Sequence, residues 1–182
     1  TRLLWGCSSK VSYLDEETIR IMADANCIQM DFGVERGTDE ELQRLQKGIT
    51  IKQVKDTFRF CKKYHIRTLA NFLVGLPQET TRNRDNIESL VKQIQPDIVA
   101  FNRFEPYQGT DIYETGWTTE NNPEIDDWIQ VMTKKYNSVW KQVRWHLGWK
   151  WIGMFLKSKR KWNYITQLGV LGREVVNQWT IR

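Results

Sequence analysis

The stretch DFGVERG, residues 31–37, with QKG close behind it at 46–48, decides how this chain is read. An apolar run from Ile28 to Val34 ends there in a turn of glycine and charge. A helix signal follows: Thr38 can cap, Glu41 can close a capping box three residues on, and Leu42 and Leu45 face inward. Further out, NFLVGLPQET (71–80) and FNRFEPYQGT (101–110) are strands with the same kind of ending. In α/β proteins such strand ends carry the ligand groups.

The rest of the chain to Phe104 alternates in the same way. Strands are expected at Leu3 to Ser8, Ile28 to Val34, Arg67 to Val74 and Ile98 to Phe104. A helix with Leu14, Ile19 and Met22 starts at Asp15, where acidic residues suit the helix dipole. Another begins near Thr50, with Val54, Phe58 and Cys61 on one face. A further one follows Thr80 or Thr81, with Ile87, Leu90, Val91 and Ile94 as its stripe, and Pro96 stops it. This beat predicts βαβ units and a parallel sheet. With four strands rather than eight, the fold class is α/β: a small open sheet or a partial (β/α) barrel, followed by an α-helical appendage. The expected division is 1–116 for the barrel portion and 117–182 for the appendage.

At 182 residues and 40% hydrophobic content the chain can build a real core. No run of about 18 apolar residues argues for a membrane span, and TRLLWGCSSK does not resemble a signal peptide. The expected compartment is the cytoplasm. Cys7, Cys27 and Cys61 are separated by 20 and 34 residues, which fits no zinc or cluster motif and predicts buried free thiols.

From Gly109 the pattern changes. Asn121, Asn122 and Pro123 break the chain, and Pro123 and Glu124 open a long helix through Ile129, Met132, Tyr136, Val139 and Trp140. Lys141 to Arg182 carries nine Lys and Arg against Glu174 alone, a net +8 in a chain whose total is +5. Five of the nine tryptophans share this segment. Its first expectation is a helical flank whose Trp residues cover the main domain while Lys and Arg stay in solvent. Peripheral contact with an anionic membrane is the second. Nucleic acid comes last, because no binding motif accompanies the charge.

Among residues able to hold a ligand, Glu35 lies between Gly33 and Gly37 in the turn after the second strand. There a carboxylate can accept from a ribose or an amino group. Lys47 stands at a helix end, where a cation also offsets the dipole. Asn71 opens the strand that closes in Gly75, Leu76 and Pro77. His65 and His146 have no carboxylate partner in the pattern and are expected to be structural or on the surface. No hydrolase triad, phosphate loop or zinc motif is present.

Together the motifs resemble the radical S-adenosylmethionine (SAM) superfamily, and within it the cobalamin-associated branch named after the magnesium-protoporphyrin ester cyclases. W-x-x-x-x-R-x-D-x-L-D-E-E resembles WGCSSKVSYLDEE (5–17), FGIESG with a following KG resembles FGVERG and QKG, GLPGET resembles GLPQET, and PYPGT resembles PYQGT. The resemblance covers Leu3 to Tyr113. It implies that Glu35 contacts SAM, that Lys47 reaches the methionine carboxylate, that Asn71 lies near the ribose, and that Leu73 neighbours the adenine. Such groups suit SAM, which offers a carboxylate, a ribose and a flat base. Departures from the family pattern fall at Lys10, Ser12, Arg36, Gln78 and Gln108.

The resemblance also implies a [4Fe-4S] cluster on C-x-x-x-C-x-x-C, a spacing this sequence lacks. Thr1 enters almost directly on a strand, so the expectation is a C-terminal piece of a radical SAM barrel that needs the N-terminal remainder of its parent. Cobalamin is allowed by the branch, and the small-molecule substrate is open. The competing reading is a non-catalytic half barrel that acts as an interaction module through its basic tail. A third is another SAM or nucleotide binder with a small open sheet. A half barrel exposes a sheet edge, so the isolated chain is expected to dimerise or to cover that edge with its tail.

Overall fold

The computed structural model describes residues 4–115, 123–138 and 141. Strands β1 (Trp5–Ser9), β2 (Cys27–Glu35), β3 (Arg67–Val74) and β4 (Ile98–Arg103) form one parallel sheet in the order β1-β2-β3-β4. Helices α1 (Glu16–Asp24), α2 (Asp39–Arg44), α3 (Ile51–Lys63) and α4 (Thr81–Ile94) lie in the connections. A short α5 (Asp111–Glu114) and then α6 (Pro123–Tyr136) follow β4. This is the expected α/β arrangement, an arc of parallel strands with each strand beside its successor.

The caps fall where side chains can supply them. Asp15 Oδ1 accepts from the Thr18 N–H at 2.8 Å and starts α1. Thr50 and Gln53 form a capping box on α3, and Thr80 and Asn83 one on α4. Each satisfies N–H groups that a helix start leaves orphaned. At α2 the outcome differs from the expected box. Thr38 Oγ1 accepts from the Glu41 N–H at 3.3 Å, but the Glu41 carboxylate goes to Arg36 and to the Thr38 hydroxyl. Gln95, at φ +46°, closes α4 just before Pro96.

The strands have two unlike faces. On β3, Thr68, Ala70, Phe72 and Val74 are buried while Leu69, Asn71 and Leu73 are half-exposed, the period-2 alternation of a sheet covered on one side. Phe32, Phe72, Met30 and Val34 join Ile19, Val54, Phe58, Ile87 and Leu90 of the helices in one apolar core. Each such fully buried side chain contributes about 1.5–3 kcal/mol. The opposite face carries Ser8, Gln29, Asp31, Gly33, Glu35, Asn71 and Asn102. That polar face is the one left open.

The helix expected from Pro123 packs against β4 and lies within the compact unit Thr1–Ser138. Trp128 meets Phe101 edge-on at 5.2 Å. The Asn137 amide donates to the Val99 carbonyl at 2.7 Å and accepts from the Val99 N–H at 2.9 Å, so a side chain occupies part of the outer edge of β4. The second unit, Val139–Arg182, lies outside the described residues apart from Lys141, and with it the basic, Trp-rich appendage and His146. Among the described residues no helix is long and apolar enough to cross a membrane.

Glu88 of α4 fastens α6. It accepts from Lys135, Lys92 and Tyr136, each at 2.8 Å, and the two lysines, more than the tyrosine, hold its carboxyl down to about 2. Because the folded value lies below the ordinary value of about 4.3, the stabilisation is present above that pH and is lost as acid takes the solution toward pH 2. Glu88→Gln is therefore expected to melt below wild type at neutral pH, with the gap closing between about pH 4 and pH 2. Thermal melts across that range check it.

Candidate cofactor-binding site

The C-terminal ends of β2 and β3 bring the expected residues together. Gly33 pairs with Asn71, and Asn71 with Ala100, so these positions form one row across the sheet. The register then slips between Gly33 and Glu35. At the slip the Arg36 N–H donates to the Val34 carbonyl at 2.9 Å and Glu35 sits at φ +69°. A bond across three residues around a positive φ is a γ-turn of the strained kind, and it aims the Glu35 carboxylate along the open face.

Lys47 arrives from the far end of α2. Gln46 adopts φ +50°, its N–H donates to the Gln43 carbonyl at 2.9 Å, and the Lys47 N–H donates to the Leu42 carbonyl at 3.0 Å. This pair of bonds is a Schellman closure, with glutamine in the place glycine usually takes. It turns the chain back toward the sheet, and Lys47 Nζ donates to Glu35 Oε1 at 2.6 Å. Lys47 thus follows the end of α2, as expected, and has Glu35 as its partner. The pair is part-buried, with side-chain exposures of 30% and 15%, so it is only partly shielded from solvent.

Gly33 makes room for that pair. A Cβ built there would meet Glu35 Oε1 and stand 3.0 Å from Lys47 Nζ. Asn71 accepts from the Asn102 amide at 3.4 Å, and Leu73 pairs with Asn102 in register. Glu35, Lys47, Asn71 and Leu73 thus share one face near the strand ends.

Directly behind lies a buried set of charges formed by Arg36, a departure from the family pattern, Glu41, expected as a capping residue, and Glu79, part of a turn. Arg36, 2% exposed, donates to Glu41 Oε1 at 2.9 and 2.5 Å, to Glu79 Oε2 at 2.6 Å and to the Leu73 carbonyl at 2.7 Å. Glu79 also accepts from the Gly75 N–H at 3.1 Å, and Arg84 extends the set to Glu124. The sequence signal for it is a lone arginine beside Glu35, with Glu41 in the first turn of α2 and Glu79 in the turn after β3.

Other expectations resolve simply. Cys27 and Cys61 are buried and Cys7 half-buried. Burial, ahead of neighbouring charge, pushes the Cys61 thiol up to about 12, so it is inert at neutral pH. His65, at φ +58°, follows the C-cap of α3 and lies exposed on the surface.

Residues 5–91 match the family model described as the radical SAM superfamily. That segment is similar to the radical SAM superfamily. Two curated proteins are similar to this chain. An uncharacterized methyltransferase of Pyrococcus horikoshii is 30% identical over 110 residues, 60% of this chain and 24% of the relative. The anaerobic magnesium-protoporphyrin IX monomethyl ester cyclase of Rubrivivax gelatinosus is 26% identical over 140 residues, 75% and 24% respectively. The chain thus spans about a quarter of the length of these relatives. Coproporphyrinogen III oxidase from Escherichia coli, a radical SAM enzyme, superposes with a TM-score of 0.59 at 10% identity over 72% of this chain and 31% of that one, which supports the barrel arc as a fold.

Radical SAM chemistry implies both SAM and an iron–sulfur cluster. The residues fit the first, because the lack of a side chain at Gly33 lets an acid and a base, Glu35 and Lys47, meet on the open face. The cysteines do not suit the second: among the described residues no group of three or more His, Cys, Asp or Glu is arranged to hold a metal.

Proposed function

We propose that this chain is the SAM-contacting part of a radical SAM iron–sulfur enzyme, with the cluster held by polypeptide beyond the described residues. The Glu35–Lys47 pair over Gly33, in line with Asn71, carries the reading. Lys47 would take the methionine carboxylate, Glu35 the amino group or ribose, Asn71 the ribose, and Leu73 one side of the adenine. Bound next to a reduced cluster, SAM supplies the radical chemistry of the superfamily.

For the chain's own residues the main event is an exchange of partners. Glu35 and Lys47 satisfy each other in the free protein, and a ligand bearing both an ammonium and a carboxylate separates them while leaving neither charge unpaired. The small-molecule substrate lies above the same face, and the cyclase-like motifs support a place for cobalamin in the complete enzyme. No step through cluster or cobalamin follows from the residues present.

Lys47→Met is expected to weaken SAM binding by about tenfold or more, since a hydrogen bond to a charged group is worth about 1.5–3 kcal/mol. Lys52→Met, on the solvent side of α3, should leave binding as it is; among the described residues its ammonium pairs with Asp56, at 2.7 Å. Calorimetric titration with SAM checks this, and equal affinity of wild type and Lys47→Met would remove Lys47 from the site.

A further inference from the structure

Glu35 occupies a backbone conformation that non-glycine residues avoid, at φ +69°. A glycine would adopt it without strain but would bring no carboxylate. Strain of this kind persists only where the surroundings over-determine it. Here the neighbouring residue does so.

The Arg36 side chain is buried while that of Glu35 lies on the open face. Its guanidinium makes bonds to three different segments. Glu41 belongs to α2, Glu79 to the turn after β3, and the Leu73 carbonyl to β3 itself. A planar fork fixed at several points cannot rotate or translate, and it holds the peptide that closes the γ-turn. The same guanidinium also fixes the main chain at Leu73, the residue expected beside the adenine. Two of the four predicted SAM contacts are therefore held by one buried cation.

We infer that Arg36 is a positioning residue for the open face: it holds Glu35 in the left-handed turn from which its carboxylate meets Lys47, and it sets the place of Leu73. The inference rests on the proposed SAM site for its consequence, but its geometry can be read without any ligand. Lysine at position 36 keeps the charge and loses the fork, so it reaches fewer of the three anchors. Arg84 serves as the control. It meets the same Glu79 from the far side, at 3.6 Å, and touches neither Glu35 nor Leu73.

The test is a double-mutant cycle of Glu35→Gln and Lys47→Met, read by chemical unfolding of the 182-residue chain in wild-type, Arg36→Lys and Arg84→Met backgrounds. Coupling between Glu35 and Lys47 is expected in wild type, falls by at least half in Arg36→Lys, and survives in Arg84→Met although that variant is also less stable. Unchanged coupling in Arg36→Lys overturns the inference, as does equal loss in both backgrounds or no coupling in wild type. Should Arg36→Lys fail to fold, Glu79→Gln enters the cycle instead with a partial loss expected, and no loss overturns the inference. Titration with SAM separates the two readings. A wild type that holds no SAM while the cycle behaves as described defeats the SAM site alone. SAM binding that is as tight in Arg36→Lys as in wild type defeats the positioning role alone.

Discussion

Replacing Arg36 with methionine is expected to destabilise the protein by about 3–5 kcal/mol, the usual result of removing one partner from a buried ion pair. The cause is what the substitution leaves behind. Glu41 and Glu79 have side-chain exposures of 9% and 2%, and both lean on this guanidinium. Glu79 retains the Gly75 N–H and a distant Arg84, and Glu41 retains the Asn83 amide at 2.9 Å and the Thr38 hydroxyl at 3.0 Å. Those partners do not replace a guanidinium fork. Converting the carboxylates to apolar residues together with Arg36→Met should recover part of the loss, because a whole buried network is often exchangeable for packed hydrocarbon. Denaturant midpoints at unchanged m-value measure both effects; a loss under about 1 kcal/mol would mean that water reaches the cluster.

Gly37→Ala is the second large effect, on the order of 3 kcal/mol by overpacking. A Cβ at position 37 would run into the backbone of Asn86 and the N–H of Ile87. Main chain of α4 cannot swing aside as a side-chain end can, so the β2–α2 turn or the helix must move. Since that turn carries Arg36 and adjoins Glu35, ligand affinity is expected to drop along with the thermal midpoint. Gly33→Ala differs, because the atoms nearest its Cβ would be the side-chain ends of Glu35 and Lys47 rather than main chain.

The strand and helix pattern was legible because it depends on local periodicity. The strands were placed within a residue or two, and Asp15, Thr50 and Thr80 each cap the helix expected of them. Gly33 and Gly37 were read as turn formers, yet their deeper constraint is the closeness of a neighbour, which no spacing rule reveals. Lys47 was legible as a helix-end cation, whereas its salt bridge to Glu35 depends on glutamine taking a left-handed position at Gln46. Arg36 escaped because a charge next to a turn is ordinarily solvated. Its burial arises from Glu79, 43 residues away, through a contact only the fold creates.

The most direct test of the open polar face as a SAM site is residue-resolved. Amide chemical shifts of the 182-residue chain are followed by NMR as SAM is added. Shifts are expected to concentrate at Gly33, Glu35, Lys47, Asn71 and Leu73, with the outward surface of α3 unmoved. An unaltered spectrum, or shifts confined to residues away from the ends of β2 and β3, would contradict the account.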